Sequence, residues 1–342
     1  MATIGNSFMN LIDIWKGAGG TDMDIGEVVE VLAQLNPIMQ DAVTAECNMG
    51  TIHRHSIRTG LPDVAWGKLY QGIPQSKSTT QQVDDTTGYV QGLSTVATTL
   101  LELSANPAAV RLSEAKSFLE SMAQEVCRGF FYHDTTSTPE RFKGLSARYA
   151  TLGGGGTGGQ IINGGGVGAD NTSIWFVTHG DDYTSLLHPK GTKAGVTRED
   201  KGEQRALDAL NNPYYVKEEL FQQHVGVSVR DWRFNARIAN IDVSNVQAGS
   251  VDLYSLMRKA YYKLQGRRNA KMASDVAAQG RTVIYMNRDM LEALDALATN
   301  RGTTDNFVRL ATMEVQGQEV MSYRGMPIRE TDALINAEAL VA

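Results

Sequence analysis

With 342 residues, 42% of them hydrophobic and 20% charged, the chain is long enough to bury a sizeable core. Its 38 acidic and 32 basic side chains leave a formal net charge of −6, which argues against a protein whose main task is gripping phosphate backbones. Two cysteines, Cys47 and Cys127, exclude a disulfide scaffold and a cysteine-rich zinc site.

The first residues lack a basic region, and Asn10 and Asp13 interrupt the apolar piece Phe8 to Trp15, so no signal peptide is expected. No run approaches the ~20 apolar residues of a membrane span. Gly17 to Gly20 reads as a hinge behind a mobile arm. A short helix capped by Asp24 follows, with Ile25, Val28, Val29 and Leu32 at helical spacing, and Asn36-Pro37 stops it.

Residues 46 to 100 are rich in Thr, Gly, Gln and Ser. Ile52 to Arg58 alternates as a strand, with His53, His55 and Ile57 on one side. Gly60-Leu-Pro62, Gly72-Ile-Pro74 and Asp84 to Gly88 are turn signals. The stretch reads as a long exposed hairpin with little core of its own, which must lie on something else, a neighbouring subunit. Asn106-Pro107 opens a helix running to Tyr132, about 39 Å long at 1.5 Å per residue. Its apolar face carries Leu112, Ala115, Phe118, Leu119, Met122, Val126, Phe130 and Phe131.

Ten glycines fall between Gly153 and Gly168. The tract matches a GxGxxG pattern at Gly153, Gly155 and Gly158, but no strand leads in, no helix leads out and the P-loop lysine is missing. A flexible surface loop is expected. Ile174 to Thr178 reads as a buried strand, residues 189–213 as an exposed loop region, and Val225 to Ile241 as strand. Asp252 to Leu264 reads as a helix. A strand from Thr282 to Met286 enters a helix capped by Asn287 and ending at Asn300-Arg-Gly302. Strands follow at Phe307 to Val315, Glu319 to Tyr323 and Met326 to Arg329. There is no internal repeat.

Candidate chemistry is sparse. His53 and His55 share a strand face but lack further ligands nearby except Asp63, and exposed histidines without a metal are expected. His179, Asp181 and Asp182 at a strand end offer an acid/base arrangement, or an ordinary turn. Arg258, Lys259, Lys263, Arg267, Arg268 and Lys271 form a basic run that reads as a solvated face, or as a surface pairing with an acidic neighbour or loosely with nucleic acid. No catalytic residue, metal site or cofactor is assigned.

The order of parts resembles the major capsid proteins of tailed double-stranded-DNA bacteriophages, and within them those of short-tailed, epsilon-type phages. Three phrases carry the likeness beside that order: Pro139-Glu-Arg-Phe-Lys-Gly-Leu145, Val283 to Leu291, and Tyr323-Arg-Gly-Met-Pro-Ile-Arg-Glu-Thr-Asp332. The resemblance implies an α+β tailed-phage major-capsid fold. It has an N-terminal arm with a short helix (1–45), an extended β-hairpin or E-loop (46–104), and a peripheral domain with a long spine helix (105–150). An axial domain with a central sheet (151–310) and return strands to the peripheral domain (311–342) complete it.

The implied function is a structural protein self-assembling into pentamers and hexamers of an icosahedral shell around double-stranded DNA. The implied partners are other copies of the chain, with a scaffolding, a portal and a decoration protein, weak contact with packaged DNA and no membrane. The shell would assemble in the bacterial cytoplasm. Trp66, Leu69, Tyr70, Ile73, Lys77, Asp84 and Asp85 are the candidate subunit-interface residues, the aromatics as anchors and the charges near the hairpin tip. Some relatives weld subunits through a Lys–Asn bond; no motif ties Lys68 or Lys77 to Asn336. The alternatives are an encapsulin-type compartment shell and an enzyme using His179, Asp181 and Asp182.

Overall fold

The computed structural model describes residues 34–70, 72–104, 106–208, 210–266, 280–299, 311–315 and 318–342. The expected arm and Asp24-capped helix, the basic residues Arg267, Arg268 and Lys271, the helix stop at Asn300 to Gly302, and Phe307 to Leu310 lie outside the described residues.

In chain order, α1 (Ile38–Asp41) and β1 (Thr44–Glu46) precede the hairpin strands β2 (Ile52–Gly60) and β3 (Thr79–Ala97). Then come α2 (Thr98–Leu103), the spine helix α3 (Pro107–Tyr132) and α4 (Leu145–Arg148). A 3-10 turn at Gly156–Gln160 leads into β4 (Ile161–Asn163), followed by β5 (Asn171–His179), β6 (Thr184–His188), β7 (Val196–Leu207) and β8 (Pro213–Val229). After a turn at Trp232–Phe234 come β9 (Ala236–Asp242), α5 (Val243–Gln247), α6 (Leu253–Lys263), β10 (Arg281–Met286) and α7 (Arg288–Thr299). The last elements are β11 (Ala311–Val315), β12 (Gln318–Tyr323) and β13 (Met326–Glu330).

Local chemistry explains the long elements. The Asn106 side chain accepts the Ala109 amide at 3.2 Å, capping α3 as its position before Pro107 predicts. Asp252 caps α6 through the Ser255 amide, and Asn287 caps α7 through the Met290 amide. Leu112 and Leu119, placed on the apolar face by periodicity, are exposed, because the buried line of the spine follows Val110, Ala115, Met122, Val126 and Cys127.

The chain divides into two compact units. One holds Met1–Leu35, Tyr89–Cys127 and Ala194–His224. There Val96, Leu100, Leu101 and Val110 form one small core, and Ala115, Met122 and Phe221 another, with Phe118 stacked on Phe221 at 5.9 Å. The region 189–213, expected as a loop, carries β7, paired antiparallel with β8 from Val196↔Gln223 to Leu207↔Pro213. Its side chains are almost all exposed, so it has no hydrophobic period to read; the periodicity sits in its partner at Val216, Glu219, Phe221 and Gln223. Glu219 is buried there, and Arg111 and Arg198 both bond it.

The other unit holds Asn36–Gly88, Arg128–Lys193 and Val225–Ala342. Its sheet centres on β5, every residue of which is buried. β10 and β9 flank β5 antiparallel, β13 adds to β10 in parallel, and β4 adds to β9 in parallel. A strand covered on both faces needs a near-continuous apolar run, and Ile174-Trp-Phe-Val177 supplies it. Helices α6 and α7 cover the sheet with Leu253, Met257, Ala260, Met290 and Leu294.

The glycine tract departs from expectation in part: Gly153 to Gly156 lie exposed, as a surface loop would, while the residues in and around β4 are built into this unit. Its Ile161–Asn163 forms β4, and Gly164 and Gly166 donate to Ala239 and Asn240 carbonyls at 2.8 Å. A Cβ on Gly164 would lie 2.6 Å from the Asn240 oxygen, and one on Gly158 would strike the Gly153 carbonyl. Lys263 Nζ donates to the Gly159 and Ile161 carbonyls, and the Leu152 amide donates to the Ala342 carbonyl. Gly158, Gly164 and Gly166 permit close backbone approach.

Candidate assembly interface

The hairpin pairs Ile52↔Thr86 through Arg58↔Thr80, with a bulge before Gly60↔Thr79. The turn expected at Asp84 to Gly88 does not occur, because β3 runs straight through it. Gly88 is there for a tight approach: a Cβ would lie 2.8 Å from the Glu140 carbonyl oxygen.

Between the strands, residues 61–70 and 72–78 have no regular secondary structure. Trp66 is 98% exposed, Leu69 91% and Ile73 88%, and Tyr70 sits at φ 63° with its ring in solvent. Lys77 is exposed beside them. Ser76 Oγ donates to the Asp63 carbonyl at 2.6 Å and pinches the segment. The five tip residues named from sequence therefore lie together on one bare segment.

Asp84 and Asp85 are placed differently from expectation. They lie toward the hairpin base, opposite Arg54 and His53, not at the tip. Arg54 grips Asp84 with two hydrogen bonds of 2.7 Å, which hold that carboxyl below the usual carboxylate range. Asp85 is buried, 2.8 Å from Arg148 Nη1, and Arg148 also donates to the Val227 carbonyl at 2.9 Å. Strand alternation decides this: Val83, Asp85 and Thr87 share the inward phase, and Asp84 points out. Asp85 is thus an internal anchor of the hairpin, unable to meet an adjacent ring.

The histidines expected to be exposed face inward too. His53 is buried, and its Nε2 accepts from Arg230 at 3.2 Å. Burial first, and then the Arg230 charge, push its pKa down; burial likewise lowers that of His55, which stands 3.8 Å from Asp85.

His179, Asp181 and Asp182 do not assemble an acid/base site. The His179 ring is buried and hydrogen-bonds Tyr285 at 2.8 Å, while Asp181 and Asp182 are exposed. Burial drives the His179 pKa down to about 4. Tyr285 in turn donates to Asp41 at 3.2 Å, which Arg329 pairs at 3.2 Å. Among the described residues no group of three or more His, Cys, Asp or Glu could hold a metal, and no helix is long and apolar enough to cross a membrane.

Sequence reading missed a second buried anchor. Arg237 Nη2 bonds Glu338 at 2.8 Å, Nη1 donates to the Tyr149 carbonyl at 2.8 Å, and the guanidinium stacks 4.9 Å from the Trp175 ring centre. Tyr132 and Ser173 also bond Glu338. This holds the C-terminal segment on the sheet. Its sequence signal is an arginine between apolar neighbours, Ala236 and Ile238, in a buried strand.

A bare-tipped hairpin, a 26-residue spine helix and a mixed sheet clipped by the chain's own C-terminal segment are the parts expected of a shell-building protein. The solved structure of bacteriophage Epsilon15 matches with a TM-score of 0.77 at 29% identity, covering 100% of this chain and 99% of that one. The fold is that of a tailed-phage major capsid protein. The family model described as major capsid protein GP7 matches residues 20–342, and the chain belongs to that family. It is a structural protein of a phage capsid shell and assembles with copies of itself.

More distant likenesses are to the bacteriophage JBD30 capsid (TM-score 0.48, 9% identity, 89% of this chain and 93% of that one) and to the SrpI encapsulin complex of Synechococcus elongatus (TM-score 0.43, 9% identity, 63% and 92%). No curated protein matches the chain.

Proposed function

We propose that copies of this chain close into rings of five and six that tile an icosahedral shell around double-stranded DNA, with residues 61–78 of each copy lying across a neighbour. The observation that carries this is the exposure of Trp66, Leu69, Tyr70 and Ile73 on a segment without a core. Large aromatic and aliphatic side chains left in water are costly unless a partner covers them, and aromatics are favoured interface anchors. Lys77 adds a charge at the rim, worth about 1 kcal/mol or less as an exposed pair.

In this reading residues 1–45 act as the arm, 46–104 as the E-loop, and 105–150 as the peripheral domain. Residues 151–310 act as the axial domain and 311–342 as its return strands. Assembly takes place in the bacterial cytoplasm with a separate scaffolding protein, around a portal, and a decoration protein binds outside. A net charge of −6 suits a wall that touches its genome only weakly.

The test is a Trp66→Ala/Tyr70→Ala/Ile73→Ala variant, followed by sedimentation and electron microscopy. Soluble, folded subunits that no longer close into shells support the reading. Normal shells from this variant overturn the role given to residues 61–78.

A further inference from the structure

The basic run that sequence analysis singled out begins on α6, and its described part forms one patch. Arg258 and Lys259 are exposed on α6, and Tyr262, one turn after Arg258, is 54% exposed. The β12–β13 turn brings in another cation: Arg324 lies 4.9 Å from the Tyr261 ring centre and 5.5 Å from those of Tyr262 and Tyr323. Arg258 is near enough to Tyr323 for its charge to act on that phenol. Arg324 and Arg258 beside tyrosine rings, with Lys259 next to Arg258 on the helix, make an arginine- and tyrosine-rich surface of the kind enriched at interface hot spots.

The same unit carries the opposite surface. Between α5 and α7 lies a groove of about 570 Å³, lined by Val246, Gln247, Ala293 and Leu297 with the acids Asp289 and Glu292, of which Asp289 accepts from the Asn336 amide. Glu292 is exposed. The two surfaces are displaced from each other. Tyr254 reaches α7 through its bond to the Leu294 carbonyl, whereas Tyr262 stands eight residues, roughly 12 Å, further along α6.

We infer that the cationic patch Arg258/Lys259/Tyr262/Arg324 of one subunit docks into the acid-rimmed groove Asp289/Glu292 of the next copy of the same chain. This rests on the shell reading above and adds the specific contact. The tyrosine ring supplies the apolar payload for the groove floor, and Arg258 meets the exposed Glu292 carboxylate, since Asp289 is already held by the Asn336 amide. Charge complementarity names the occupant as a second copy. Displaced complementary surfaces on one chain make a head-to-tail contact, and such contacts form rings where the rotation from copy to copy closes. Opposed charges also steer encounter and set register.

The test uses charge reversal in the full chain. Arg258→Glu and, separately, Glu292→Lys are expected to cut the yield of sedimenting shells at least tenfold while the subunits keep their circular dichroism and melting temperature. Combining the two substitutions restores this pair with inverted sign and is expected to recover most of the yield. Wild-type yield from the separate variants overturns the contact, as does a combined variant no better than its parents. If a separate variant fails to fold, the salt dependence of wild-type assembly decides: the contact requires assembly to weaken as salt rises, and salt-independent assembly overturns it. Wild-type shells form in each of these outcomes. Their absence would instead count against the shell reading itself.

Discussion

Asp85 on β3 and Arg148 on α4 form an ion pair at 2.8 Å, with side chains only 2% and 12% exposed. Sequence places these residues 63 apart, one in an expected turn and one after the spine helix. In the fold they tie the hairpin base to the body of its unit. Asp85→Ala leaves a buried guanidinium uncompensated and is expected to cost about 3 kcal/mol or more. Denaturant unfolding checks this. The double variant Asp85→Ala/Arg148→Ala is expected to lose clearly less than the sum of the two single variants, since the pair is coupled.

Trp66 offers the opposite case. It touches so little of its own subunit that Trp66→Ala is expected to change monomer stability by less than about 0.5 kcal/mol. Thermal unfolding of dissociated subunits would show a melting temperature close to wild type. A large drop would mean that the ring is buried in the free chain.

His179 gives a pH dependence with a definite sign. Its folded pKa, about 4, lies below the ordinary value of 6.5. Between those values the unfolded chain binds a proton that the folded one excludes. This contribution is therefore intact above about pH 6.5 and is lost progressively as pH falls toward 4. The lowered pKa values of His53 and His55 act in the same direction. His179→Gln is expected to flatten the slope of unfolding free energy against pH in that window. An unchanged slope would show that His179 is not responsible.

The glycine tract makes a paired prediction. Gly164→Ala forces a Cβ to within 2.6 Å of the Asn240 carbonyl oxygen and is expected to destabilise by about 1–3 kcal/mol. Gly155→Ala, with open space around it and no positive φ, is expected to be close to neutral. In limited digestion of free subunits with a nonspecific protease, residues 61–78 are expected to be cut before residues 153–168. N-terminal sequencing of the first fragments decides the order.

Much of this protein was legible from local pattern. The spine helix from Pro107 to Tyr132, the strand around Ile174–Thr178 and the caps at Asn106 and Asn287 need only neighbours in sequence, because helix periodicity, apolar runs and capping chemistry are short-range. The exposed tip residues were legible for the same reason: Trp66, Leu69, Tyr70 and Ile73 sit in a stretch too polar and turn-rich to make a core. Tertiary structure alone decided what the polar and glycine residues do. Asp85, His53 and Glu338 are buried because a partner arginine, distant in sequence, compensates each. β7 is a strand because β8 completes its hydrogen bonds, and nothing in its own side chains requires that. Gly164 and Gly166 pack close because the carbonyls of Ala239 and Asn240 lie against them, a contact that composition cannot foretell.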